Sequence, residues 1–151
     1  MVAAASALAV AAIGGTLTRI GPWYRALKKP VWTPPDPAFG VIWTTIFALT
    51  AIAGVLAWRG AGRSATREQL IGLFALNGFF NVLWSLLFFT LQRPDWALIE
   101  VSALWLSILV LILVCGRLSL IAGLLLAPYL VWVSIASLLN FEIVRLNGPF
   151  A

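Results

Sequence analysis

Four sets of polar and aromatic residues interrupt the apolar runs of this 151-residue chain at helical spacing. Asn77, Asn81, Trp84 and Phe88 fall at i, i+4, i+7 and i+11, one face of a helix. Trp43, Phe47, Thr50 and Gly54 share a second face, and Tyr129, Trp132, Ala136 and Asn140 a third. Glu100 lies about one and a half turns into a further run, with Ser107 on its face. Indoles, phenyl rings and amides stack and hydrogen-bond, which is the chemistry of recognition. Histidine is absent and Cys115 is the only cysteine, so no intrachain disulfide can form. Met1 and Cys115 are then the sole sulfur candidates for a haem iron, and no cluster offers zinc its usual ligands. No catalytic residue, bound metal or resident cofactor is expected.

The stretch from Trp23 to Trp43 reads W-Y-R-A-L-K-K-P-V-W-T-P-P-D-P-A-F-G-V-I-W. Most connections are about 4–6 residues, and longer ones in a compact protein bind something or are disordered. Disordered segments lack aromatics, whereas this one has Trp23, Tyr24 and Trp32, with Pro30, Pro34, Pro35 and Pro37 fixing φ. It is expected to be an ordered lid.

The elements that position these residues follow from composition. The chain is 62% hydrophobic and 10% charged, with mean hydropathy +1.02, against about 25% charged for soluble domains. Five apolar runs (2–20, 39–58, 70–91, 96–115 and 118–144) each approach or exceed the ~20 residues that span a bilayer. The expected fold is all-α: one transmembrane domain, 1–151, of five helices at about 2–20, 37–58, 67–91, 95–115 and 118–146, with a lid loop at 21–36. The first run lacks the basic start of a signal peptide. Its Ala3, Ala7, Ala11 and Gly15 instead form a small-residue ridge suited to close packing in lipid.

Asp36 before Pro37 reads as an N-cap for the second helix, and Thr66-Arg67-Glu68-Gln69 as a capping box for the third. Asp95 reads as the cap of the fourth, with Gly116 ending it in left-handed conformation. The short joints make the second and third helices antiparallel neighbours, and likewise the fourth and fifth. No internal repeat is visible.

Net charge is +5, which in a membrane chain encodes orientation more than nucleic-acid binding. Arg19, Arg25, Lys28, Lys29, Arg93 and Arg145 lie on the lid side, against Arg59, Arg63, Arg67 and Arg117 on the other. Six against four favours the N-terminus outside with the lid and C-terminus cytoplasmic. A helical bundle points to an inner or organellar membrane, here a bacterial inner membrane, since outer-membrane proteins are typically β-barrels.

Alternating topology puts Trp43, Trp84, Phe88, Glu100 and Asn140 in the lid-side half of the bilayer, with Asn77, Asn81, Tyr129 and Trp132 near the middle. A mostly apolar pocket with a few placed polar groups results, the usual small-molecule site. Plainer roles compete with this one. Trp58 and Trp96 at run ends fit an interfacial belt, and Asn77 and Asn81 could be interhelical glue. Trp105, opposite the Glu100 face, would meet lipid or a partner, and Glu142 would reach headgroups or pair with Arg145.

The chain resembles the tryptophan-rich sensory protein/translocator protein (peripheral benzodiazepine receptor) family. The resemblance rests on Trp23-Tyr24, Leu27, Lys29-Pro30 and Trp32-Thr33-Pro34-Pro35, then Phe39-Gly40 and Trp43. It continues through Asn81, Trp84, Phe88-Phe89, Trp96-Ala97-Leu98 and Glu100 to Pro128-Tyr129, Trp132, Leu139-Asn140 and Leu146-Asn147. It implies a five-helix bundle, commonly a homodimer, binding porphyrins such as protoporphyrin IX and, in some members, cholesterol. Tetrapyrrole or sterol movement, stress signalling and light-dependent porphyrin breakdown are activities proposed for members. Phe47 stands where some members have tyrosine. Phe141 stands at the centre of the 139–145 segment, where the animal sterol motif needs tyrosine, which argues against a sterol ligand. Phe141 also occupies the place of a tryptophan linked to porphyrin photochemistry in some bacterial members, which argues against degradation.

The expected function is a membrane receptor or carrier for porphyrin-type tetrapyrroles. Trp23, Trp32, Trp43, Phe47, Trp84, Phe88, Glu100, Tyr129 and Trp132 form or close the site, and Asn81 and Asn140 bond polar edges. Arg25, Lys28 or Lys29 pairs with ligand carboxylates. Photo-oxidative porphyrin breakdown and a ligand-dependent regulatory membrane subunit are the alternatives. Lipid and a second copy of the chain are the expected partners, and nucleic acid is not.

Overall fold

The computed structural model describes residues 20–150. The first apolar run, with its ridge at Ala3, Ala7, Ala11 and Gly15 and the leader-peptide question, lies outside the described residues. A short helix α1 (Pro22–Ala26) sits in the lid. Four long helices follow: α2 (Asp36–Gly60), α3 (Ser64–Ser85), α4 (Pro94–Leu118) and α5 (Leu120–Asn147). A π-helical turn, Leu86–Thr90, extends α3. Each of the four is long and apolar enough to cross a membrane. With α3 counted through its π turn, the shortest, at 25 residues, measures about 37 Å against ~30 Å of hydrocarbon. The protein is therefore a multi-pass helical membrane protein, with no strand among the described residues.

Helix α5 is the organising element, packed most extensively on α4 and next on α2, while α3 lies against α4. Small residues make these approaches close, since hydrocarbon gives helices no hydrophobic reason to associate and packing must do so. Ala53, Ala57, Ala97 and Ala122 are fully buried. A Cβ on Gly123 would stand 2.9 Å from the Gly116 Cα, so two glycines meet where α4 turns into α5.

The helix ends depart from the sequence expectation. Gly116 does not end α4 in left-handed conformation; the helix runs on to Leu118, and Ser119 alone joins it to α5. The glycine serves close packing instead. Ser119 Oγ accepts from the Ala122 amide at 3.3 Å, capping α5. The Thr66 capping box is not used either. Helix α3 starts at Ser64, after extended Arg63, because burial of Ala61 and contact of Gly60 with Leu118 set the joint further upstream. Asp36 and Asp95 lie within the first turns of α2 and α4, next to Pro37 and Pro94, and neither helix has a side-chain cap bond.

Candidate functional site

Above the midplane on the lid side, α1, α2, α3 and α5 converge on a cavity. It is lined by Tyr24, Phe39, Trp43, Trp84, Phe88, Phe89, Trp132, Ala136, Leu139 and Asn140. Seven of these ten are aromatic, and they pack mainly on one another. Trp84 stacks on Phe88 (5.1 Å between centroids, 23° between planes), and Trp43 on Phe47 (5.4 Å, 24°). Trp132 meets Phe39 and Trp43 edge to face, a favoured geometry for rings carrying a quadrupole. The enclosed room is only ≈ 20 Å³, measured as space for water centres, little more than one water needs. A ≈ 10 Å³ hollow lined by Val101, Leu104 and Val133 shares Trp43, Trp84 and Ala136 with it, so those three separate the two.

The π turn explains why adjacent Phe88 and Phe89 are both buried. Leu91 N–H donates to Leu86 O five residues back, at 2.8 Å, and the wider turn brings two successive rings inward where a regular helix would splay them. Gln92 then takes φ 54°, turning the chain toward α4.

The lid is tied to the end of α5, to its own short helix and to the start of α2. Lys28 N–H donates to Asn147 Oδ1 (2.8 Å), while Asn147 Nδ2 donates to Lys28 O (2.7 Å) and to Ile143 O (2.9 Å). Lys29 Nζ donates to the α1 carbonyls of Tyr24 (2.8 Å) and Arg25 (3.5 Å) and to Leu27 O (3.2 Å), and lies 4.5 Å over the Tyr24 ring. Arg25 pairs with Asp36 at 3.3 Å. Neither lysine forms an ion pair among the described residues, and the Lys28 side chain makes no hydrogen bond among them either.

Most polar groups near the cavity are committed to the protein. Asn81 Nδ2 donates to Tyr129 Oη (2.9 Å), which donates to Asn77 Oδ1 (3.2 Å), and Asn77 Nδ2 donates to Ser107 Oγ (3.0 Å). This chain joins α3, α4 and α5 through the core. With its amide turned to suit its neighbours, Asn140 accepts from Trp84 Nε1 (3.1 Å) and donates to Pro94 O (2.8 Å). Among the described residues two cavity donors have no partner: the Tyr24 hydroxyl and Trp132 Nε1. Burial, with the Asp36 charge adding to it, pushes the Tyr24 hydroxyl up to about 12, so it keeps its proton at any working pH. Both carboxylate oxygens of Glu100 are likewise buried without a partner, but Glu100 does not line the cavity.

Of the residues singled out from sequence, Trp43, Trp84, Phe88, Trp132 and Asn140 come together as lining. Trp23 packs edge-on to Phe88 (6.0 Å) and Phe47 lies behind Trp43. Asn81 and Tyr129 sit one layer deeper as interhelical bonds. Trp32 is exposed at 43% and outside the lining, next to fully exposed Val31. Tyr24, Phe39, Phe89, Ala136 and Leu139 complete the wall. Phe39 was accessible as the residue one turn before Trp43; Tyr24 and Phe89 had no periodic signal. Trp105 does not face lipid alone, for its Nε1 donates to Ser134 Oγ of α5 at 2.9 Å. Glu142 takes the paired option, with Arg145 Nη2 at 2.5 Å.

A helical multi-pass membrane protein with a lidded, ring-filled cavity is the class these observations define. The TspO/MBR family model matches residues 2–146, and the chain belongs to that family. It is 42% identical to tryptophan-rich protein TspO of Chlorobaculum tepidum, over 93% of this chain and 90% of that protein. Against the Archaeoglobus fulgidus protein of the same name identity is 38% over 95% of each. Against the human translocator protein it is 28% over 83% of this chain and 75% of that one. The resemblance drawn from the tryptophan loop thus extends along nearly the whole chain.

Proposed function

We propose that the protein is a membrane receptor or carrier for flat, partly anionic hydrophobes of porphyrin type. The observation that carries this is a wall of seven aromatic rings containing two donors unpaired among the described residues, Tyr24 Oη and Trp132 Nε1. Rings stacked on rings can exchange a neighbour for a macrocycle at little cost in contact area. Donors without partners gain a bond when ligand arrives, instead of trading one. Relatives are named tryptophan-rich sensory protein and translocator protein, in keeping with ligand binding inside a bundle.

Since the cavity holds little more than a water, binding requires the rings to part. Rotation of Trp43 and Trp84 would join the two hollows into one slot. Association should then run below the usual 10⁵–10⁷ M⁻¹s⁻¹, as expected when binding needs a conformational change. Ligand carboxylates would meet Lys28, and Arg25 after exchange from its exposed pair with Asp36, because such pairs are weak. Trp23 and Trp32 would complete the cover.

We further propose a homodimer through the α3 face bearing exposed Gly72 and Ala75, where leucine substitutions should shift the particle mass toward monomer by light scattering. The count of Lys and Arg residues, paired or not, orients such chains and puts the lid in the cytoplasm on this reading, in an inner membrane. Titration of the detergent-purified protein with protoporphyrin IX, read by tryptophan fluorescence, tests the binding reading. No quenching at micromolar ligand would refute it.

A further inference from the structure

The two ends of the bundle treat their arginines differently. On the lid side every described arginine has a carboxylate partner: Arg25 with Asp36, Arg93 with Asp95, Arg145 with Glu142. At the opposite end Arg59, Arg63 and Arg117 are exposed and make no ion pair among the described residues. The whole chain has five acidic residues: Asp36, Glu68, Asp95, Glu100 and Glu142. Three are taken by the lid-side pairs and Glu100 lies within a span. Only Glu68 remains near that end, and it forms no ion pair among the described residues either.

The fold brings the three arginines to one end of the bundle. Gly60 abuts the carbonyl of Leu118, so Arg59 and Arg117 end neighbouring helices side by side. Arg63 occupies the joint between α2 and α3. Arg67 is used structurally, with Nε donating to Ala61 O (2.9 Å) and its guanidinium 4.8 Å over Trp58. Helix C-termini favour cations and account for part of the placement of Arg59 and Arg117. That partial charge does not neutralise them, and it says nothing of Arg63.

We propose that Arg59, Arg63 and Arg117 form a binding patch for the phosphate groups of anionic phospholipids. Guanidinium presents a planar fork that bonds phosphate bidentately. The patch terminates membrane-spanning helices, so it sits at headgroup level. Next to Arg117, the highly exposed Leu120, Ile121 and Leu124 of α5 offer an apolar surface for acyl chains. Head and chain are thus both provided for, which favours lipid over a free anion. The proposal is independent of the aromatic cavity at the other end.

The test is lipid retention by native mass spectrometry after incubating delipidated protein with equal phosphatidylglycerol and phosphatidylcholine. Phosphatidylglycerol should be retained preferentially. Each of Arg59→Gln, Arg63→Gln and Arg117→Gln should lower the preference about fivefold, and the triple variant roughly 100-fold, on the scale of a basic residue near an anionic surface. Arg145→Gln, on the lid side, should leave it intact. All three patch arginines are exposed, and circular dichroism checks the fold of each variant. Equal retention of the two lipids by the unsubstituted protein, or full preference in the folded triple variant, overturns the proposal. Displacement of the lipid by millimolar inorganic phosphate would also overturn it, making the patch a site for free anions.

Discussion

Removing the Tyr24 hydroxyl should move stability and affinity in opposite directions. The ring is 2% exposed and is held by Phe39 (6.2 Å), Phe88 (6.4 Å) and Phe89 (5.7 Å), with Lys29 above it. Tyr24→Phe keeps every one of those contacts. The lost oxygen has no partner among the described residues, so its deletion relieves a desolvation penalty of at most about 1–3 kcal/mol. The free protein should therefore be as stable as the parent or slightly more so. In the proposed complex the same hydroxyl would donate to a ligand oxygen, and its loss would cost about 1.5–3 kcal/mol where that oxygen is a carboxylate. At about 1.4 kcal/mol per tenfold, the dissociation constant for protoporphyrin IX should rise roughly 10- to 150-fold.

Thermal unfolding in detergent reads the first quantity and fluorescence quenching the second. Tyr24→Phe that unfolds earlier while binding porphyrin normally would refute the reasoning, because the hydroxyl would then be structural. The alkaline limb gives an independent check. The folded hydroxyl is held at about 12 against an ordinary 10, so between those values the unfolded chain releases its proton first. Stability is fully present below pH 10 and falls as pH rises toward 12, and Tyr24→Phe should remove that part of the slope.

Three further substitutions bear on the same architecture. Tyr129→Phe strands the Asn81 donor and the Asn77 acceptor and should destabilise by about 1–3 kcal/mol, seen as a lower unfolding midpoint, in contrast to Tyr24→Phe. Asn147→Ala removes two bonds to the Lys28 backbone, and lid amides over residues 21–35 should exchange with deuterium roughly 10- to 100-fold faster, for about 0.5–1.5 kcal/mol per bond; unchanged exchange would show the lid anchored elsewhere. Trp32→Ala tests whether the exposed indole folds over bound ligand: a stopped-flow dissociation rate raised about 5- to 100-fold supports closure, for a buried aromatic contact of about 1–3 kcal/mol, and an unchanged rate limits Trp32 to anchoring in the headgroups.

The four described spans were legible from sequence because the bilayer imposes a length and a polarity that composition alone reveals. Their ends were not. Thr66, Asp95 and Gly116 each carry a local signal of the right type, yet the joints answer to contacts between helices. Gly60 on Leu118 and Gly116 on Gly123 decide where the chain turns, and neither pair is local in the sense that capping rules read. Gly116 shows the ambiguity best. The same lack of a side chain that permits left-handed backbone also permits close approach, and only the partner helix determines which is used.

The site divides along the same line. Periodicity found Trp43, Trp84, Trp132 and Asn140 because each repeats on one face of a regular helix, and Phe88 because it follows Trp84 by one turn. It missed Phe89, which reaches the wall only through a π turn, and Tyr24, which belongs to a lid fixed by Asn147 from 119 residues away. The roles shifted further than the membership. Asn81 and Asn140 have the amides that a ligand edge would need, but a buried amide must satisfy its own donors and acceptors first, and here other helices satisfy them. Among the described residues the cavity's uncommitted polarity is therefore carried by one phenol and one indole, groups whose rings the apolar wall already accepts. A site built this way can collapse on itself when empty with little polar cost, and its selectivity must come from whatever ligand can both part the stacked rings and accept from those two donors.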